Sequence, residues 1–213
     1  VVEEKPVIIC SSDPSSSIID SNRNKLLPYF FLPGAGEQGH ITHLMSKKNM
    51  SNLALEVGFQ IPKTCYGDDI GIEQAVPLPC ILKPIVSARG SKTDIHICSK
   101  WQDVINYVEA IGRDNVQIQQ FIDKDFEYQL IGCSTSKEVI IPGVSRILRP
   151  CKGSNTSYLH YAPLKEDFCE IEKCKEFVRR TGYYGLFSLE FLRDKNSQDY
   201  FMEINFRNDG NAI

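Results

Sequence analysis

The sequence predicts an α+β fold, and three observations carry that expectation. Apolar and polar residues alternate through 186–193 and 200–205 around a short polar turn, the pattern of a β-hairpin with one packed face. Further short apolar runs at 80–84, 95–98, 116–122, 126–133, 138–141 and 145–148 are separated by turn-like breaks, which implies antiparallel pairing. Three stretches of helical period are set apart from these groups of strands, so helices and sheet form separate layers.

In chain order, KPVIIC (5–10) reads as a strand and SSDPSSS (11–17) as a loop. Residues 18–45 show no clear period, with a turn at LPGAGEQG (32–39). The segment 45–62 is an amphipathic helix on Met50, Leu53, Ala54 and Val57, ended by Gly58, and Pro62 starts an extended stretch. CILKP (80–84) and IHIC (95–98) are strands around the turn-rich loop VSARGSKTD (86–94). Ser99 is the expected cap of a helix with Trp101, Val104, Ile105, Val108 and Ile111 on one face, closed by Gly112. VQIQQFI and FEYQLIGC are strands about a polar break; EVII and SRIL are strands about a Pro142-Gly143 turn. The stretch 149–163 lacks periodicity and reads as a loop. A last helix spans about 166–181, with Phe168, Ile171, Cys174 and Val178 inward and Gly182 after it. A division of the chain falls near 113–121.

The chain of 213 residues suits one large domain or two small ones. A net charge of −3 gives no basic surface arguing for nucleic acid. No apolar run approaches the ~18–20 residues of a membrane span, and no signal-peptide pattern is present. Eight scattered cysteines form no C-x-x-C pair, so we expect buried, reduced thiols in a cytoplasmic protein. The chain starts without Met and stops eight residues after Asn205, which leads us to expect a piece of a longer protein.

The C-terminal hairpin carries the most specific chemistry. Symmetric pairing about its turn sets Arg193 against Tyr200 and Glu190 against Glu203, with Asn205 on the same face as the two glutamates. Like charges placed opposite each other destabilise a sheet unless a counter-ion joins them. Three hard oxygen donors suit Mg²⁺, and the adjacent Arg207 suits a polyphosphate. Two glutamates simply wetted by solvent are the alternative. Lys83 lies in an apolar strand before a loop holding Ser87, Arg89, Gly90 and Ser91, whose backbone N–H groups could cradle phosphate; an ordinary hairpin with a snorkelling lysine is the alternative. In QQFIDKDFEY, backbone groups near Phe121 and Ile122 could read a planar base and Glu127 could hold ribose hydroxyls; the alternative is a plain polar turn.

In order and spacing, these features resemble the ATP-grasp superfamily, in the branch of carbamoyl-phosphate synthetase-like proteins and D-amino-acid ligases. The resemblance rests on Lys47 eleven residues before Gly58, then IPKT, PCILKP, the loop 86–94, QQFID with Glu127, and GLFSLEF…YFMEINFR, with Glu203 thirteen residues after Glu190. It implies an ATP-grasp fold of two α/β subdomains with antiparallel sheets. Residues 1–45 would end a preceding domain, 46–118 would be the phosphate-loop subdomain, and 119–213 the subdomain with hinge and metal site. By the same resemblance Lys47 and Lys83 are phosphate ligands, and Ser87, Arg89, Gly90 and Ser91 cover the phosphates. Gln120, Phe121 and Ile122 line adenine, and Glu127 takes the ribose. Glu190, Glu203 and Asn205 hold Mg²⁺ (or Mn²⁺), and Arg207 faces the transferred phosphoryl group. Several positions depart from the pattern. Gln120 stands where glutamate is frequent, and Phe206 replaces the proline of Asn-Pro-Arg. Ser188 stands where some D-amino-acid ligases have arginine, and Lys92 where a second loop glycine is common.

The implied reaction is ATP-dependent activation of a carboxylate as an acyl phosphate, followed by attack of an amine or similar nucleophile. The small-molecule acceptors cannot be read from the sequence; Arg146, Arg149 and His160 are candidate contacts for them or plain surface charges. A kinase on the same fold, or a nucleotide-binding module without catalysis, are the alternatives. Neither nucleic acid nor membrane is an expected partner.

Overall fold

A computed structural model describes residues 5–66, 76–84, 95–150, 156–164 and 170–209. Contacts divide the chain into two units. One comprises Val1–Ile61, Asp125–Leu148 and Tyr158–Ile213; the other comprises Pro62–Lys124 and Arg149–Ser157. These boundaries differ from the expected breaks at 46 and 119. The helix over Lys47–Val57 buries Met50 and Ala54 in the core of the first unit.

The second unit holds four strands: β1 (Thr64–Tyr66), β2 (Cys80–Pro84), β3 (His96–Cys98) and β4 (Val116–Gln120). They lie in the order β1-β4-β2-β3 with antiparallel pairs throughout. Strand alternation sends Cys65, Cys80, Leu82, Cys98 and Ile118 into one apolar cluster with Val104 and Val108 of α5 (Trp101–Ile111). The other face carries Thr64, Lys83, Gln117 and Gln119. The expected cap Ser99 is not used: the helix starts after Lys100 with no side-chain cap, and Gly112 closes it at φ +87°.

Cys80 and Cys98 face each other in register, and burial, reinforced by Cys98 and Cys65, pushes the Cys80 thiol up to about 11. Thiolate is the reactive form. Iodoacetamide at pH 8 should therefore leave Cys80 unmodified in the native protein and modify it in urea, read by peptide mass spectrometry. The unfolded thiol ionises near 9.0 and the folded one only near 11, so this contribution to stability is whole below 9.0 and is lost as pH rises towards 11.

The first unit begins differently from the sequence expectation. The expected strand at 5–10 reduces to a single parallel bridge, Val7 with Phe31. The expected loop at 11–17 is instead the start of α1 (Asp13–Ser21). Ser12 and Ser15 form a reciprocal capping box and a proline opens the first turn, so the serine cluster that reads as a loop is a helix start. The aperiodic region that follows is organised by two buried charged side chains. Asp20 accepts from the N–H groups of Gly39 and Thr42 at the start of α3 (His40–Leu44). Arg23, in α2 (Arg23–Leu26), donates to the carbonyls of Gly36 and Pro33 and to the Tyr184 hydroxyl. Helix α4 is Lys47–Val57, shorter than expected, and Gly58 caps it in the left-handed region.

The second sheet has the order β7-β6-β5-β8-β9. Its strands are β5 (Lys124–Ser134), β6 (Val139–Pro150), β7 (Thr156–Pro163), β8 (Gly185–Asp194) and β9 (Asp199–Asn205). Pro142-Gly143 is not a turn but part of the single strand β6, opposite a register shift between Ile131 and Cys133 that takes up the extra residue. A Cβ on Gly143 would stand 2.7 Å from the carbonyl oxygen of Ala162, so glycine here permits close approach of the β7 backbone. The expected loop 149–163 is therefore largely strand. Helix α6 (Ile171–Thr181) turns Cys174, Phe177, Val178 and Thr181 inward. With Phe59, Phe187, Leu189, Phe191 and Phe201 they cover the apolar side of the sheet.

Candidate metal and nucleotide sites

In the β8–β9 hairpin Glu190 does face Glu203, with Leu189 opposite Ile204 and Ser188 opposite Asn205. The expected pairing of Arg193 with Tyr200 does not occur. A bulge after Glu190 shifts the register by one, so Phe191 faces Phe201 and Arg193 faces Asp199, which it grips with two hydrogen bonds of 2.8 and 2.7 Å. The bulge turns Phe201 into the core, while Glu203 and Asn205 stay beside Glu190.

The polar face is wired through amides. Glu190 Oε1 accepts from Asn205 Nδ2 at 2.8 Å and from Gln129 Nε2 at 3.0 Å. Asn205 Nδ2 also donates to Ser188 Oγ at 3.1 Å, and Asn205 Oδ1 accepts from Arg207 at 3.1 Å. Arg207 donates to Asp13 at 2.7 Å and lies 3.6 Å from Asp209. Burial works against the Arg207 charge, but the Asp13 hydrogen bond and the charges of Asp13, Asp209 and Glu190 outweigh it and raise its pKa above the ordinary value. Glu203 is half-buried and makes no side-chain hydrogen bond or ion pair among the described residues. A carboxylate left in that state directly opposite a second one fits a cation. Two carboxylates and an amide oxygen are the donor set Mg²⁺ accepts, its other positions going to water and phosphate. Clusters of three or more His, Cys, Asp or Glu are absent among the described residues, so the amide of Asn205 is needed to complete the set.

In the other unit, Lys83 Nζ donates to Gln119 Oε1 at 3.1 Å, and Gln119 donates on to Thr64 Oγ1. Gln117, directly opposite Lys83, is 3% exposed, and its Oε1 accepts no hydrogen bond among the described residues. A polar face with an orphaned acceptor beside a lysine can take a polar ligand. Gln120 is held by the Lys63 backbone, which donates to its Oε1 at 3.2 Å and accepts from its N–H at 2.8 Å. The Phe121 N–H is committed to Pro79 and the Ile122 carbonyl to Lys124, so a base edge would have to be read by other groups of this segment. Ser87, Arg89, Gly90 and Ser91 lie outside the described residues.

Lys47 is exposed as the first residue of α4, where the positive end of the helix disfavours a cation unless an anion joins it. Glu127 is half-buried on β5 opposite Ile147. Arg146 pairs with the core residue Tyr128 and stacks 3.7 Å above the Phe126 ring, away from the neighbouring Gln129 that reaches Glu190. Arg149 and His160 are exposed. The sequence reading missed Gln129, Asp13 and Asp209. The first was hidden in an apolar strand and the second in an apparent loop; the third lies past the end of the last strand, where periodicity stops.

No family model and no curated protein matches this sequence. Solved structures do. A biotin carboxylase–β-γ-ATP complex from Campylobacter jejuni matches with TM-score 0.72 and 18% identity, over 96% of this chain and 49% of that one. Carboxyaminoimidazole ribonucleotide synthase from Aspergillus clavatus, complexed with ATP, matches with TM-score 0.66 and 15% identity, over 91% and 52%. The chain has the ATP-grasp fold. An L-amino acid ligase from Bacillus licheniformis also matches, with TM-score 0.65 and 15% identity, over 94% and 54%. The chain thus spans about half the length of the structures it resembles. Among the described residues, no helix is long and apolar enough to cross a membrane.

Proposed function

We propose that this chain is the nucleotide-binding part of an Mg-ATP-dependent ligase that activates a carboxylate for attack by an amine or similar nucleophile. The observation that carries the reading is Glu203, without a side-chain partner among the described residues, opposite Glu190 and beside Asn205 and Arg207. The similar structures crystallised with ATP, ADP or MgADP support it. Glu190, Glu203 and Asn205 would hold Mg²⁺, which when bound neutralises phosphate charge. Arg207 would face the transferred phosphoryl group, with Asp13 and Asp209 fixing its guanidinium. Lys83 and Lys47 would meet nucleotide phosphates, Gln120 to Ile122 the adenine, and Glu127 the ribose.

In the reaction, a carboxylate oxygen bonds to the γ-phosphorus as the bond to ADP breaks, giving an acyl phosphate. The amine nitrogen then bonds to the acyl carbon, phosphate leaves, and the nitrogen loses its proton. Such chemistry needs positioning and charge neutralisation rather than a protein nucleophile. The test is phosphate release by the full-length protein across a panel of carboxylates and amines. Release that needs both substrates supports a ligase, and turnover with a hydroxyl substrate alone would indicate a kinase. Lys83→Met should weaken ATP at least tenfold and leave adenosine within twofold by calorimetry. Equal losses for both ligands would make Lys83 a structural residue.

A further inference from the structure

We infer that Asp209 is a positioning residue for the metal face, acting through Ser188 on Asn205 and directly on Arg207. The inference rests on the Mg-ATP reading of that face and adds to it the path from Asp209 through Ser188 to Asn205.

Asp209 is 5% exposed although it lies beyond the last strand, and Ser188, in the middle of β8, is 0% exposed. The Ser188 hydroxyl donates to Asp209 Oδ2 at 3.0 Å. A hydroxyl has one proton. Once that proton is given to Asp209, the Ser188 oxygen can only accept, and it accepts from Asn205 Nδ2 at 3.1 Å. The Asn205 amide is thereby oriented. Its NH₂ end is held by Ser188 and by Glu190, and its Oδ1 is directed to the side where Arg207 lies. Only that orientation offers oxygen rather than nitrogen to a hard cation. With the amide reversed, oxygen would meet the Glu190 carboxylate and the NH₂ group would meet the guanidinium, two repulsive contacts.

Charge balance for Arg207 does not account for Asp209 by itself. Arg207 already has Asp13 at 2.7 Å, whereas Asp209 stands 3.6 Å from it and closer to Ser188. Partners one shell out from a metal typically carry about 10–100-fold in metal affinity.

The test uses the full-length protein with Mg²⁺ and ATP as probes. Calorimetry measures the Mg²⁺ concentration that half-saturates ATP binding, and separately the affinity for adenosine without metal. Asp209→Asn and Ser188→Ala should each raise the Mg²⁺ half-saturation about tenfold. Adenosine affinity should stay within twofold. The double variant should fall well short of the product of the singles, because both act on one chain of hydrogen bonds. Unchanged Mg²⁺ dependence in both variants, or equal losses for Mg-ATP and adenosine, overturns the inference while leaving the Mg-ATP reading intact. Wild-type protein whose ATP binding ignores Mg²⁺ overturns both. Ser188→Ala only deletes an oxygen, so it keeps the test decisive if Asp209→Asn fails to fold.

Discussion

Phe59→Ala should cost about 3–5 kcal/mol of stability. Phe59 follows the α4 cap Gly58 and is 8% exposed. Its ring meets three others: Phe201 stacked at 5.4 Å, Phe191 edge-on at 5.5 Å and Phe177 edge-on at 5.6 Å. Those rings come from β9, β8 and α6, so one side chain ties the β8–β9 hairpin to a helix. The backbone reinforces the tie, since the Phe201 N–H donates to the Gln60 carbonyl at 2.8 Å. Phe201 faces inward only because of the bulge after Glu190. Removing its stacking partner should therefore loosen the segment that holds Glu203 as well as lower the unfolding midpoint. Urea denaturation gives the stability change. A loss below about 1 kcal/mol would mean that the cluster closes over the gap and that Phe59 is not its centre.

The contrast between the two ends of the chain shows what the sequence carries and why. Strand β8 was legible because Phe187, Leu189 and Phe191 keep strict period two and all reach the core. The Glu190–Glu203 pairing was reached by counting symmetrically from the turn, and it holds because the bulge after Glu190 offsets a turn whose register is one residue different, with Arg193 facing Asp199. The bulge was not legible, because a one-residue shift leaves no mark in composition; it places Phe201 against Phe59 and Phe177. At the other end, α1 was read as a loop because serine is a poor interior residue and a strong cap, and the pattern does not say which role it takes. Asp20 and Arg23 organise residues 33–42 mostly through backbone groups, a signal with no periodicity. Pro142-Gly143 reads as a turn anywhere except in a bulged strand with a neighbouring backbone close by. At the candidate site, the residues that would touch a ligand were legible as polar positions in apolar strands. Those that orient them were not, since Gln129, Ser188, Asp13 and Asp209 come from four separate places in the chain.

Glu203→Ala should abolish most of the thermal stabilisation that Mg-ATP gives the protein. A ligand at about 100 times its dissociation constant stabilises the folded state by about 2.7 kcal/mol, and the metal is the part of that ligand which Glu203 would hold. The ligand-free protein should lose little or gain slightly. Glu203 makes no hydrogen bond or ion pair among the described residues, and its removal relieves the like charge facing Glu190. The two effects have opposite signs, which separates a metal ligand from a structural glutamate. A structural glutamate would lower the ligand-free midpoint and leave the Mg-ATP increment unchanged. The same variant should keep its adenosine affinity, because the segment assigned to the base, Gln120 to Ile122, is held by Lys63, Pro79 and Lys124. Melting curves with and without Mg-ATP, for wild type and variant, give all four values. An undiminished Mg-ATP increment in Glu203→Ala would remove the metal from this face, and with it the reason for two carboxylates to stand opposite each other.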